Sequence, residues 1–352
     1  MSKLCHKINQ HKMSRRSLPG LIVFGLLSLW MIFPHAPGCL ADAPGPKADP
    51  TAIRPASTVP FALGSDGRIY VQGTINGQVQ ATFLIDTGMS RNLISSAIED
   101  KLHLPMIPVT VDGKPDSKRA TLDGKELECI KPATVVMGQF RLNGHYFILQ
   151  PPKRLPVSPI TKRNVDGIIG AGVLDLCAIM IDFAAKRMAL WYPSNLTDAD
   201  IKALHLDILY TVPIAPDPKF PDVWYAHVHF SSDKAAIEKD MMIDTGAQIT
   251  TLSQETAERL GLAYHDAGVA TLFLNKKTAI SRDQVSKMQM GDFTLFSHTV
   301  YFPVQANPNY PVSIGMDIFR GYEPLIDFGR RVMYLAGWQS SDGASLQTKP
   351  QK

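Results

Sequence analysis

Apolar and polar residues alternate in short runs along most of the chain, a period near two that predicts β-strands rather than helices. Arg68-Ile69-Tyr70-Val71-Gln72-Gly73-Thr74-Ile75 is the first clear run, Asn76-Gly77 supplies a hairpin turn, and Val79 to Ile85 continues as a second strand. No long stretch of period 3.6 competes with this pattern, and short helices are expected only near Ser95–Leu104 and Ser253–Leu262. The expected fold class is therefore all-β with short helices. Residues 42–63 are rich in Pro and Ala with few large apolar residues, and are expected to be a disordered leader. The polar residues 339–352 are expected to form a disordered tail.

The pattern then occurs a second time. Phe83-Leu84-Ile85-Asp86-Thr87-Gly88 is answered by Met241-Met242-Ile243-Asp244-Thr245-Gly246, and Leu93-Ile94-Ser95 by Thr251-Leu252-Ser253. Met137-Gly138-Gln139-Phe140 is answered by Met290-Gly291-Asp292-Phe293. Ile169-Gly170 and Ile181-Asp182-Phe183 recur as Ile314-Gly315 and Ile326-Asp327-Phe328, both at an offset of 145 residues. A repeat of this kind predicts two like lobes, residues 64–193 and 222–338. Between them, residues 194–221 carry Pro213, Pro216, Pro218 and Pro221 and read as an inter-lobe linker.

Charge changes the picture at one end only. The formal net charge is +4 over 352 residues, but residues 1–41 hold Lys3, Lys7, Lys12, Arg15 and Arg16 and no acid. Without them the balance is slightly negative, so bulk charge offers nothing to nucleic acid. The basic stretch, the apolar run Leu18–Phe33 and the small residues Cys39 and Ala41 read as a signal peptide, residues 1–41. Export to the periplasm or outside the cell is expected. A twin-arginine variant at Ser14-Arg15-Arg16, a lipoprotein box at Ala36-Pro37-Gly38-Cys39 and an uncleaved membrane anchor are the other forms this segment allows. Export would permit a disulfide between Cys129 and Cys177, and two buried free thiols fit equally well. His227 and His229 share one strand face, but two solvated histidines are the plainer reading, and no zinc-ligand spacing is present.

The chemistry lies in the two Asp-Thr-Gly triplets. A lone copy arises by chance in roughly one chain in ten or twenty of this length, and usually means a turn after a strand. Two copies, each behind three apolar residues and each at the same place in a repeat, point to one shared site with Asp86 and Asp244 as its catalytic pair. Gly88 and Gly246 allow tight turns with close approach. The Thr87 and Thr245 hydroxyls can reach backbone across a pseudo-twofold axis. Two carboxyls held roughly 3 Å apart cannot both ionise easily. They titrate as a pair, so one can take a proton from water while the other donates to a carbonyl oxygen. No metal or other cofactor is needed for such a step.

These residues resemble the pepsin-like and retropepsin-like aspartic proteases, and most of all bacterial retropepsin-like proteins with two fused copies. The resemblance spans about 250 residues, from the first strand run to Phe328. It implies a two-lobed acid-protease fold with pseudo-twofold symmetry, endopeptidase activity on peptide or protein substrates, and a monomer, since one chain supplies both halves. It also implies that Gly167-Ile168-Ile169-Gly170 and Val312-Ser313-Ile314-Gly315 thread behind the two turns, with Gly170 and Gly315 in support. Departures are specific. Pepsin-like enzymes often carry Ser or Thr after the triplet; here Met89 and Ala247 stand there, and Ser90 offers a substitute hydroxyl in the first turn. Fewer donors to a carboxylate raise its pKa, so an optimum less acidic than that of digestive pepsins is expected. The substrate-covering hairpins are expected at Ala120–Leu127, turning at Asp123-Gly124, and at Leu272–Lys277; neither holds the Tyr seen in pepsin flaps. The competing reading is a catalytically silent module that binds extended peptides or glycans between its lobes.

Overall fold

The computed structural model describes residues 22–23, 56–110, 119–122, 124–194, 196–218, 221–272, 276–307 and 310–337. The strands used below are, in chain order, β1 (Ser57–Pro60), β2 (Ile69–Ile75), β3 (Val79–Asp86), β4 (Gly167–Gly170), β5 (Ala178–Asp182) and β6 (Arg187–Trp191). There follow β7 (Ile208–Pro216), β8 (Trp224–Ser231), β9 (Ala236–Ile243), β10 (Ser313–Ile314), β11 (Glu323–Asp327) and β12 (Val332–Ala336). The remaining regular elements are further strands and short helices, so the all-β expectation holds.

β2 and β3 form the hairpin expected around Asn76-Gly77, both with positive φ, with Ile75 paired to Val79 and Tyr70 to Leu84. β3 is buried on both faces from Ala81 to Asp86, which is why its sequence reads as a near-continuous apolar run rather than an alternation. The second half repeats the hairpin as β8 and β9, joined by register pairs from Tyr225–Met242 to Ser231–Ala236. Short helices follow each Asp turn at Ser96–Leu102 and Gln254–Arg259. Each begins at a serine whose hydroxyl accepts a backbone N–H, Ser95 from Ala97 and Ser253 from Thr256.

A six-stranded antiparallel sheet, in the order β1-β6-β5-β11-β12-β7, joins the two halves. Its central pairing sets Met180 of β5 opposite Leu325 of β11. Those two residues stand at the same 145-residue offset as the sequence repeat, so the pseudo-twofold axis runs through this pair. The apolar core above the sheet is continuous across it, from Ile179 and Ile181 on one side to Ile326 and Met333 on the other.

Two domain assignments need correction. The leader ends earlier than residue 63: Ser57–Pro60 pairs with Arg187–Leu190, and Ala62–Leu63 with Ile69 and Tyr70. The stretch 194–221 is no mere linker. It contains a helix, Asp198–Ala203, whose N-cap Thr197 forms a capping box with Asp200, and the nine-residue strand β7. β1 lies at one end of this sheet and β7 at the other, where the last three residues of β7 pair with β8. Composition read them as irregular; main-chain pairing to a distant strand makes them regular. Cys129 and Cys177 are buried free thiols, and burial pushes them up to about 11 and about 12. Residues 42–55, the tail 339–352 and the signal segment apart from Ile22–Val23 lie outside the described residues. Ile22–Val23 runs parallel to Ala270–Thr271. Among the described residues no helix is long and apolar enough to cross a membrane.

Candidate active site

β3 ends on Asp86 and β9 runs directly into Asp244, and the structure brings the two aspartates together with neither exposed. The link between the turns is a crossed pair of threonines. The Thr87 hydroxyl donates to the Ile243 carbonyl (2.8 Å) and accepts from the Thr245 N–H (3.0 Å). The Thr245 hydroxyl donates to the Ile85 carbonyl (3.1 Å) and accepts from the Thr87 N–H (3.1 Å). Four buried hydrogen bonds thus bind residues 158 positions apart into one unit.

Within each turn the carboxyl folds back on its own backbone. Asp86 Oδ1 accepts the Gly88 N–H at 3.0 Å, and Asp244 Oδ1 accepts the Gly246 and Ala247 N–H groups at 2.9 Å. The glycines are needed for close approach and not for a left-handed φ, since neither has positive φ. A methyl group on Gly88 would lie 2.5 Å from Asp244 Cγ, and one on Gly246 2.3 Å from Asp86 Cγ. Both carboxyls are pushed up by burial, Asp86 to about 7 and Asp244 well above the usual carboxylate range, where the neighbouring Asp86 charge adds to the rise.

The apolar-Gly segments run behind the turns as expected. β4 lies parallel to β3 with Gly170 beside Asp86, and β10 lies parallel to β9 with Ile314 beside Ile243. A Cβ on Gly170 would sit 2.5 Å from the Met89 and Arg91 carbonyls, and one on Gly315 2.5 Å from the Ile249 carbonyl. Asn92 and Thr250, each six residues beyond its Asp, hold these glycines: Asn92 Oδ1 accepts the Gly170 N–H at 3.0 Å and Thr250 Oγ1 the Gly315 N–H at 3.4 Å. Asp317 in turn fixes Thr250, accepting its N–H and its hydroxyl at 2.9 Å each. Asn92 and Thr250 differ in type, so a residue-by-residue repeat search passes over them; their shared spacing was the available signal.

Met89 does not disturb the first turn. It is fully buried among Tyr70, Leu84, Leu93, Ala120 and Leu127. Its carbonyl accepts from Ala171, as the Ala247 carbonyl accepts from Met316. Ser90 is partly exposed, and its hydroxyl is not among the groups bonded to Asp86. The first hairpin forms, with Thr121 paired to Glu126 and Leu122 to Lys125 around Gly124 at φ 74°; Asp123 lies outside the described residues. Strands His265–Thr271 and Lys277–Met290 make the second hairpin, closed by the Leu272 N–H to the Lys276 carbonyl, and residues 273–275 lie outside the description.

One residue breaks the symmetry and was missed in sequence. Continuing the β2–β3 register by two residues sets Arg68 across from Asp86, and the same step from Tyr225–Met242 sets Val223 across from Asp244. Arg68 is fully buried; its Nε bonds Asp66 at 2.8 Å while its Nη1 has no protein partner. Its positive charge draws the Asp86 carboxyl down against the larger effect of burial. The dyad is thus alike in its crossed threonines and glycines and asymmetric in its surroundings.

The crossed threonines make a direct prediction. Thr87→Val keeps the shape but strands the Ile243 carbonyl and the Thr245 N–H in a buried site, which costs about 2 kcal/mol or more. Urea unfolding should show a lower midpoint with unchanged slope. An unchanged midpoint would mean that the inter-lobe hydrogen bonds contribute nothing net.

No curated protein matches the chain. Among solved structures, a retropepsin-like aspartic protease from Rickettsia conorii is similar at 17% identity, covering 38% of this chain and 89% of that one, with a TM-score of 0.26. The family model for aspartyl proteases matches residues 71–173 and 232–318, one stretch in each half and together more than half of the chain. Each stretch contains one Asp-Thr-Gly turn and its downstream apolar-Gly strand, and on that match the chain belongs to the aspartyl protease family.

Proposed function

We propose that this protein is an exported aspartic endopeptidase that hydrolyses peptide bonds with a water activated between Asp86 and Asp244. One observation carries the reading: two fully buried carboxyls are held together by crossed threonines, and the Oδ2 of each has no hydrogen-bond partner beyond the opposing carboxyl. Two such oxygens, sharing one proton, are what a water-activating dyad requires. Asp86, beside the Arg68 charge, is the ionised member and takes a proton from the water; the oxygen of that water bonds to the peptide carbonyl carbon. Asp244 gives its proton to the carbonyl oxygen, which yields a tetrahedral diol. Asp86 then passes its proton to the amide nitrogen while a diol hydroxyl returns one to Asp244, and the C–N bond breaks to release acid and amine. Both turns come from one chain, which favours a monomer, and the N-terminal pattern supports export. An extended peptide lying strand-like under the hairpins is the expected binding mode.

A peptide-library digest with the chain lacking residues 1–41 tests this, with Asp86→Asn beside it. Cleavage by the wild type and none by the variant is expected. Peptide binding without cleavage would replace the enzyme with the silent binding module, and activity confined to a sedimenting dimer would remove the single-chain site.

Arg68 gives a second test. Arg68→Met withdraws the charge that favours ionised Asp86, so the acidic limb of the pH–rate profile should move up by about one unit; Arg68→Lys should largely restore it. For the wild type, activity should peak near neutrality, because Asp86 must lose a proton near pH 7. A peak below about pH 3 would contradict the raised pair.

A further inference from the structure

The β8–β9 hairpin carries a second group of chemically potent side chains on its outer face. His227 and His229 alternate on β8 with buried Ala226, Val228 and Phe230, so both imidazoles point outward. The register sets His227 opposite Asp240 and His229 opposite Glu238, and directly opposed residues share a face. Four donors therefore meet on one patch, each more than half exposed.

Their arrangement is more specific than a solvated charge cluster. His227 Nδ1 lies 2.8 Å from Asp240 Oδ1, which leaves His227 Nε2 directed to Glu238 Oε2 at 3.4 Å. His229 Nδ1 lies 3.1 Å from Glu238 Oε1, and the two rings stand nearly perpendicular with centroids 5.0 Å apart. One donor atom from each of His227, His229 and Glu238 falls within 4.8 Å of the others. A tetrahedral zinc ion with bonds of about 2.0–2.1 Å has donors about 3.3 Å apart, and each imidazole lies near that distance from one oxygen of the Glu238 carboxylate. Asp240 on the far nitrogen of His227 is the carboxylate that metal-bound histidines commonly hold, where it fixes the tautomer.

We infer that His227 Nε2, His229 Nδ1 and the Glu238 carboxylate form a binding site for a divalent transition-metal ion of the zinc class. Asp240 orients His227, and a water takes the fourth position. Two neutral imidazoles and two carboxylates place two negative charges around a dication. Arg259, Lys287 and Gln289 line a surface depression shared with His229 and Glu238, so the nearby cations stand on the His229 side. The ion ties β8 to β9, and β9 leads directly into the Asp244 turn. Its role is to clamp that hairpin and not to join the hydrolytic step. The histidine pair alone reads as solvated from sequence because Glu238 and Asp240 are ordinary surface acids until the register is known.

The test is calorimetric titration of the purified full chain with zinc chloride at pH 7.5 in a non-coordinating buffer. One ion per chain is expected. His229→Ala and Glu238→Gln should each weaken binding at least tenfold, and Asp240→Asn about 10–100-fold. Zinc should raise the Tm of the wild type and leave that of the His227→Ala/His229→Ala double variant unmoved. Cobalt(II) in place of zinc should show the visible absorption of a tetrahedral site. Peptide cleavage should persist in the double variant, because its residues lie outside the dyad. Absence of binding by the wild type would reduce the group to a surface ion-pair cluster, and equal binding by the double variant would place the ion elsewhere; either result overturns the inference.

Discussion

Asp244→Asn and Asp86→Asn should each lower kcat by about a thousandfold or more, with the far-ultraviolet circular dichroism unchanged. The amide is nearly isosteric with the carboxyl, and its oxygen can still accept the N–H of Gly88 or Gly246, the bonds that Oδ1 makes at 3.0 and 2.9 Å. The crossed threonine bonds involve neither carboxyl, so the lobes stay joined. What disappears is proton transfer. At Asp86 the loss is the base that accepts from water, and at Asp244 the acid that protonates the carbonyl oxygen. Positioned acid–base groups contribute about 10²–10⁴ each, and two that share one proton act as a unit whose effects do not add. The double variant should therefore be little slower than either single one. Steady-state cleavage of a peptide found by the library digest, with active-site concentration fixed by absorbance, gives the comparison. A single variant within tenfold of wild type would remove that aspartate from the chemistry.

The same variants should be more stable than the wild type at neutral pH. Asp86 is raised in the folded protein from an unfolded value near 3.8 to about 7, chiefly by burial. Between those values the folded state holds a proton that the unfolded chain has released. Stability from this group is therefore fully present below the unfolded pKa and is lost as pH rises through the folded one. Ionisation of this group therefore costs the folded state stability as pH rises, and Asp244 is raised in the same direction. An asparagine never ionises, so it escapes this cost. Urea unfolding of Asp86→Asn should exceed wild type by a few kcal/mol at pH 8, with the gap closing towards pH 4. An equal gap at both pH values would show that ionisation is not its source.

The strained economy of the dyad also explains the surrounding architecture. Burying two carboxyls is tolerated only because each Oδ1 is bonded to its own turn and because the lobes cannot part without breaking four further hydrogen bonds. Arg68 reduces the cost on one side, where Val223 occupies the matching place on the other. A dimer of identical halves has no such difference between its two aspartates. Fusion of two copies in one chain permits it.

Much of this was legible in the residues. The alternation, the Asn76-Gly77 turn and the repeated triplets determined an all-β chain of two like halves with one aspartate pair, because strand period and turn chemistry are local properties. The short helices near Ser95 and Ser253 and the glycines at 170 and 315 were likewise visible, each tied to a fixed neighbour in sequence. Arg68 was read only as the first residue of a strand run. Residues 57–60 and 208–213 looked irregular because their order comes from ladders with strands more than a hundred residues away, β6 for the first and β12 for the second. The free state of Cys129 and Cys177, the burial of Met89 in a cluster beneath the first hairpin, and the meeting of His227 with Glu238 depend on register and packing between distant segments. The Asp-Thr-Gly turns themselves stand at this boundary. Sequence determined that there are two, at matching places in a repeat; only the tertiary structure set one beside a buried guanidinium and the other beside a valine, since which side chain faces a carboxylate across a sheet is decided by the pairing of strands and not by adjacency along the chain.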